Sequence, residues 1–92
     1  MMRCDGLAKL IEECGELVQI AEIAAKKQAY FDTDTHPDGK GSMKRRLEEE
    51  MADVMAACVF VAEKFGLDGE FLEARTQKKL ALFKSLDNGP NV

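Results

Sequence analysis

Histidine occurs once in this chain, at His36, and that scarcity closes several chemistries. A ferritin-like di-iron centre calls for Glu-x-x-His pairs on helices, and no such pair can be written here. A Ser–His or Cys–His nucleophile is ruled out by the same shortage. Only Pro37 and Pro90 interrupt the 92 residues, so long stretches run without a helix breaker. A few long helices are expected instead of many short strands. The three cysteines, Cys4, Cys14 and Cys58, are odd in number and form no Cys-x-x-Cys pair. Buried, reduced thiols of a cytoplasmic protein fit them better than a disulfide framework or a zinc site. No apolar run approaches the roughly 18 residues of a membrane span. The opening Met1-Met2-Arg3-Cys4-Asp5-Gly6 lacks the charged-then-apolar pattern of a secretory leader. Positive charge is also short: 13 Lys and Arg stand against 17 Asp and Glu, for a net charge of −4. The basic residues are interleaved with acids, so there is no basic face of the kind nucleic acid demands. A cytoplasmic protein with neither a membrane nor a nucleic-acid partner is the expectation.

What is present is globular: 46% of residues are hydrophobic and 33% charged. Residues 1–92 form a single domain, and a small one for burying its own core. Three helices can be read. The first runs from about Asp5, a plausible N-cap, to Tyr30. Its apolar positions Leu7, Leu10, Ile11, Cys14, Leu17, Val18, Ala21 and Ala25 recur at intervals of three and four. Residues 31–42 collect turn formers and read as a loop. The second core helix covers 43–65, capped by Ser42 and closed by Gly66, with the stripe Leu47, Met51, Val54, Cys58, Val61 and Phe65. Asp68 caps a third helix reaching about Leu86, and 87–92 form a flexible tail. No internal repeat or low-complexity segment is found. The class is therefore all-α, a helical hairpin plus a third helix. Each long helix carries a second apolar line, Ile20 and Ile23 on one, Ala57 and Phe60 on the other. One face can pack within the chain and the other needs a partner, so an oligomeric helical bundle, a homodimer or tetramer, is expected.

Those second lines change character toward the N-terminus of each helix. Ile23 and Ile20 lead back at helical spacing to Glu16 and Glu13, while Phe60 and Ala57 lead back to Asp53 and Glu50. Carboxylates at i and i+3 share a face. A hairpin brings the two pairs together, four negative charges in a small space, and a hard divalent cation with oxygen ligands resolves the repulsion. A single Glu-x-x-Glu is ordinarily a solvated face, a reading that weakens when two acidic pairs both interrupt inward lines. If the first helix ran to Tyr30 with level ends, the pairs would be offset by about 10 Å, a discrepancy that an end near Lys27 or an asymmetric loop would remove.

Glu12-Glu13-Cys14-Gly15-Glu16-Leu17 followed by Glu49-Glu50-Met51-Ala52-Asp53-Val54 resembles the paired motif of the all-α nucleoside triphosphate pyrophosphohydrolases, in particular the short MazG-like forms of bacteria and phages. The resemblance covers about residues 7–86. It implies that Glu13, Glu16, Glu50 and Asp53 bind Mg²⁺, for which Mn²⁺ can substitute, with Glu12 as an accessory acid. It also implies hydrolysis of a nucleoside triphosphate to the monophosphate and pyrophosphate, in which Glu12 or Glu13 orients the water. Many relatives place Lys, Asn and Arg on the last helix against the nucleotide. Lys79 matches the first, while Phe83 and Leu86 occupy the other two. The stretch between the motifs is longer than in the commoner forms. The alternative is a non-catalytic helical oligomerisation or interaction module, or a degenerate relative that keeps the metal ligands without the substrate contacts.

Other motifs are weaker. Asp34-x-His36-x-Asp38-Gly39 half resembles a calcium loop, but Arg45 stands where the loop needs Glu. Gly39-Lys40-Gly41-Ser42 lacks the strand and upstream glycine of a phosphate loop, and reads at most as a lid touching phosphate. Lys44, Arg45 and Arg46 occupy a first helical turn, where the dipole disfavours cations. They either pair with Glu48, Glu49 and Glu50 one turn on, or attract a polyphosphate, with Lys44 and Arg46 as its contacts.

Overall fold

The computed structural model describes residues 6–26 and 42–87, and every regular element among them is a helix. Helix α1 spans Leu7–Lys26, α2 Met43–Phe65 and α3 Gly69–Leu86. The second and third helices have the bounds expected of them. The Asp5 cap, the stretch from Lys27 to Tyr30, most of the 31–42 loop and the tail beyond Asp87 lie outside the described residues.

Local chemistry accounts for the ends. The Ser42 hydroxyl accepts from the Arg45 amide at 3.1 Å, satisfying one of the orphan donors at the start of α2. Arg45 pairs with Glu48 at 3.4 Å and Arg46 with Glu49 at 3.2 Å, so acids one turn on offset cations placed against the dipole. Gly66 closes α2 at φ +62°, and the Leu67 amide reaches back to the Ala62 carbonyl at 2.9 Å. Only a glycine adopts that left-handed corner at no steric cost. Two residues later the Asp68 carboxylate accepts from the Phe71 amide at 3.0 Å and starts α3.

α1 and α2 pack as the hairpin, and their contact decides which apolar line faces inward. Ile20 and Ala24 of α1 and Met43, Ala57 and Val61 of α2 are buried, with Leu17, Ile23 and Leu47 packed beside Ile20, Ala24 and Met43. The line that leads to the acids closes the hairpin. Much of the other line stays in water: Ile11 is 74% and Val18 55% exposed. Cys14 and Cys58 belong to that outer line and are exposed, contrary to the expectation of buried thiols. α3 buries no residue at all, and Phe71, Leu80, Phe83 and Leu86 stand in solvent along it. The radius of gyration is accordingly 15.6 Å, against about 12 Å for a compact chain of this length. No described helix is long and apolar enough to cross a membrane.

Ser42 caps the start of α2, the helix that carries Glu50 and Asp53. Ser42→Ala should cost about 1 kcal/mol in urea unfolding, and Ser42→Gly only a few tenths. Equal losses from the two variants would show that the hydroxyl cap contributes nothing.

Candidate metal centre

The hairpin brings the acidic pairs level. One turn before the buried Ile20, α1 presents Glu16 and Glu13; one turn before the buried Ala57, α2 presents Asp53 and Glu50. Carboxylate oxygens of Glu13, Glu50 and Asp53 lie within 4.8 Å of one another. Glu12, Glu13 and Glu16 form a second group at the same tolerance, sharing Glu13. The expected offset of about 10 Å is not seen between Glu13 and the Glu50–Asp53 pair; residues 27–30, where the end of α1 is expected, lie outside the described residues.

Glu13 and Glu50 have nearly identical surroundings. Each side chain is 12% exposed. Lys9 lies 3.2 Å from Glu12 and 3.9 Å from Glu13; Arg46 lies 3.2 Å from Glu49 and 4.0 Å from Glu50. In both cases Oε1 faces the cation, while Oε2 is buried without a hydrogen-bond partner. Loss of water raises the pKa of Glu13 from the ordinary 4.5, with Glu16, Asp53 and Glu12 adding repulsion and Lys9 opposing. Glu50 is raised in the same way, by desolvation and then by Glu16, Asp53 and Glu13, against Arg46. A buried carboxylate oxygen with no donor is costly unless a proton or a cation reaches it.

The donor set fits a hard cation. All the converging atoms are carboxylate oxygens, the ligands Mg²⁺ and Mn²⁺ prefer, and neither described cysteine joins them. Opposed oxygens around Mg²⁺ at about 2.1 Å are about 4.2 Å apart, so a small closure of side chains would give the spacing such an ion needs.

Two clefts open beside the cluster. Lys9, Glu13, Asp53, Ala56, Ala57 and Phe60 line one of about 400 Å³. Arg46, Glu50, Glu16, Gln19, Ile20 and Ile23 line another of about 440 Å³. The expected site residues divide accordingly. Glu13 meets Glu50 and Asp53 across the hairpin and Glu12 and Glu16 along its own helix, Glu16 is close enough to add repulsion at Glu50, and Arg46 walls the second cleft. Lys44 is exposed and lines neither cleft. Lys79 lies on α3, 5.8 Å from the Phe83 ring, in a groove that contains none of the four acids. The calcium-like and glycine-rich segments lie outside the described residues, apart from Ser42. Lys9 was missed by sequence reading. Its signal was available: it precedes Glu13 by one turn, as Arg46 precedes Glu50.

No family model, curated protein or solved structure matches this chain. The functional reading therefore rests on the site's own chemistry and on the motif resemblance.

Because folding raises both pKa values, the folded state binds protons more tightly than the unfolded chain does. That stabilisation is complete below 4.5 and is lost as pH rises through the raised values of Glu13 and Glu50. Metal-free protein should therefore melt at lower temperature as pH climbs from 4.5 toward neutrality. Millimolar Mg²⁺ or Mn²⁺ should restore stability at neutral pH and leave it unchanged near 4.5, where protons displace the metal. Calorimetry against chelator checks both slopes; a melting temperature indifferent to metal at neutral pH would exclude the site.

Proposed function

We propose that this chain is a Mg²⁺-dependent nucleoside triphosphate pyrophosphohydrolase of the MazG-like type. The observation that carries the reading is the pair of buried, unbonded oxygens on Glu13 and Glu50 beside Asp53 and Glu16. Helices can bury carboxylates this way at tolerable cost when a cation completes them. The resemblance of the two acidic motifs supplies the reaction.

Glu13, Glu16, Glu50 and Asp53 would hold Mg²⁺, with Mn²⁺ as its substitute. The ion supplies charge neutralisation on the phosphate oxygens, the main requirement of phosphoryl chemistry. Glu12 or Glu13 orients a water and accepts its proton. Attack on the α phosphorus breaks its bond to the bridging oxygen, and pyrophosphate departs as nucleoside monophosphate forms. Arg46, whose planar fork suits phosphate, holds the outer phosphates from the second cleft, with Lys44 steering from the exposed first turn. Lys79 joins the site only when α3 docks against a hairpin.

The same reading includes self-association as a homodimer or tetramer. The outer lines of α1 and α2 and the whole of α3 leave apolar side chains in water, which a second copy covers by completing a helical bundle. Light scattering should give a dimer or tetramer at micromolar concentration; a well-folded monomer would refute this part. Phe83 and Leu86, exposed where relatives carry Asn and Arg, favour the second reading, an interaction module.

Removing charge without changing shape tests the enzyme. Glu50→Gln and Asp53→Asn should each lower kcat/KM by more than about a hundredfold, as loss of metal-borne charge stabilisation of several kcal/mol implies, while helical content persists. Chromatography of the products from a deoxynucleoside triphosphate should show monophosphate and pyrophosphate, with no orthophosphate. Diphosphate plus orthophosphate would refute the assigned reaction. Wild-type rates in either variant would refute the ligand assignment. Bound metal without turnover on any nucleotide would leave the module.

A further inference from the structure

The two clefts beside the acids correspond residue by residue at a constant offset of 37 positions, the offset that carries Glu13 to Glu50 and Glu16 to Asp53. Lys9 corresponds to Arg46, Gln19 to Ala56, Ile20 to Ala57 and Ile23 to Phe60. The hairpin is thus a local pseudo-twofold, one acid pair and one basic residue in each helix, which a search for repeated residues does not find. Equivalent positions make the differences informative. One cleft has an arginine fork and branched aliphatic walls. The other has alanines at two wall positions and, among the described residues, the only aromatic ring in either cleft.

One edge of that ring lies against the chain at Gly6. Gly6, at φ +101°, lies so close that a Cβ there would sit 3.5 and 3.6 Å from Phe60 Cδ2 and Cε2, and 3.2 Å from Val61 Cγ2. The positive φ at Gly6 is what favours glycine there. Phe60 nevertheless remains 42% exposed. A ring fixed along one edge, partly open to solvent and beside two alanines has the form of a stacking platform for a flat heterocycle.

Resting on the pyrophosphohydrolase reading, we infer that the Phe60 cleft is the nucleobase subsite, so that a bound nucleotide runs from Phe60 across the carboxylates to Arg46. Ala56 and Ala57 leave room for the base, and Phe60 stacks on it. Among the described residues of this cleft, Lys9 alone could donate to a base edge, because alanine and phenylalanine side chains cannot. Recognition by the π face is tolerant of base identity. All four bases are accepted, purines ahead of pyrimidines through their larger stacking area.

Equilibrium calorimetry with a non-hydrolysable α,β-methylene nucleoside triphosphate and with inorganic tripolyphosphate, each on the Mn²⁺-loaded protein, tests this. Phe60→Leu, which keeps an apolar side chain against Gly6, should weaken nucleotide binding about tenfold, and Phe60→Tyr should retain it. Tripolyphosphate affinity should be the same in all three proteins. Equal losses for both probes in Phe60→Leu, or no loss for either, would overturn the subsite while leaving the reaction standing. Wild-type protein that binds Mn²⁺ but neither probe would overturn the reaction and the subsite together.

Discussion

Mutual repulsion among four carboxylates is the constraint around which this hairpin is arranged. Glu13 and Glu50 are largely withdrawn from water, and Glu16 and Asp53 push on both. Apolar burial on the adjacent turns, through Ile20, Ala24, Ala57 and Val61, holds the helices close enough for that repulsion to exist. One cation per helix, Lys9 or Arg46, answers only one oxygen of each buried acid. The other oxygen is left to a proton or a metal. Stability and chemistry are therefore coupled at one place: the face that closes the fold is the face that carries the charge.

The same economy leaves most of the apolar surface outside the hairpin. A chain of this size cannot cover two rods of about 30 and 35 Å with one short helix, and α3 does not attempt it. The exposed lines on α1 and α2 are continuous with the helices that hold the acids. Docking along them would act directly on the spacing of the carboxylates. A site built at such a junction is sensitive to assembly in a way that a site inside a closed core is not.

The pseudo-twofold gives the cluster a direction that four acids alone lack. A symmetric tetracarboxylate binds an ion but does not orient an elongated ligand. Arg46 against Lys9, and Phe60 against Ile23, break the symmetry at its two ends with groups of opposite chemical preference. Phosphate matches one end and a flat ring the other.

Helix by helix, the sequence alone determined a good deal. Ser42, Gly66 and Asp68 bound α2 and α3 where capping chemistry requires, because a cap is a contact between residues three or four apart. The placement of Glu13, Glu16, Glu50 and Asp53 on lines that become apolar follows from the 3.6-residue period in the same way. Only the tertiary structure decided which of two apolar lines turns inward. Both have helical spacing, and the choice depends on how the facing helix packs, which no local pattern encodes. It also decided that the thiols of Cys14 and Cys58 face out and that α3 buries none of its residues, because each depends on contacts between segments far apart in sequence.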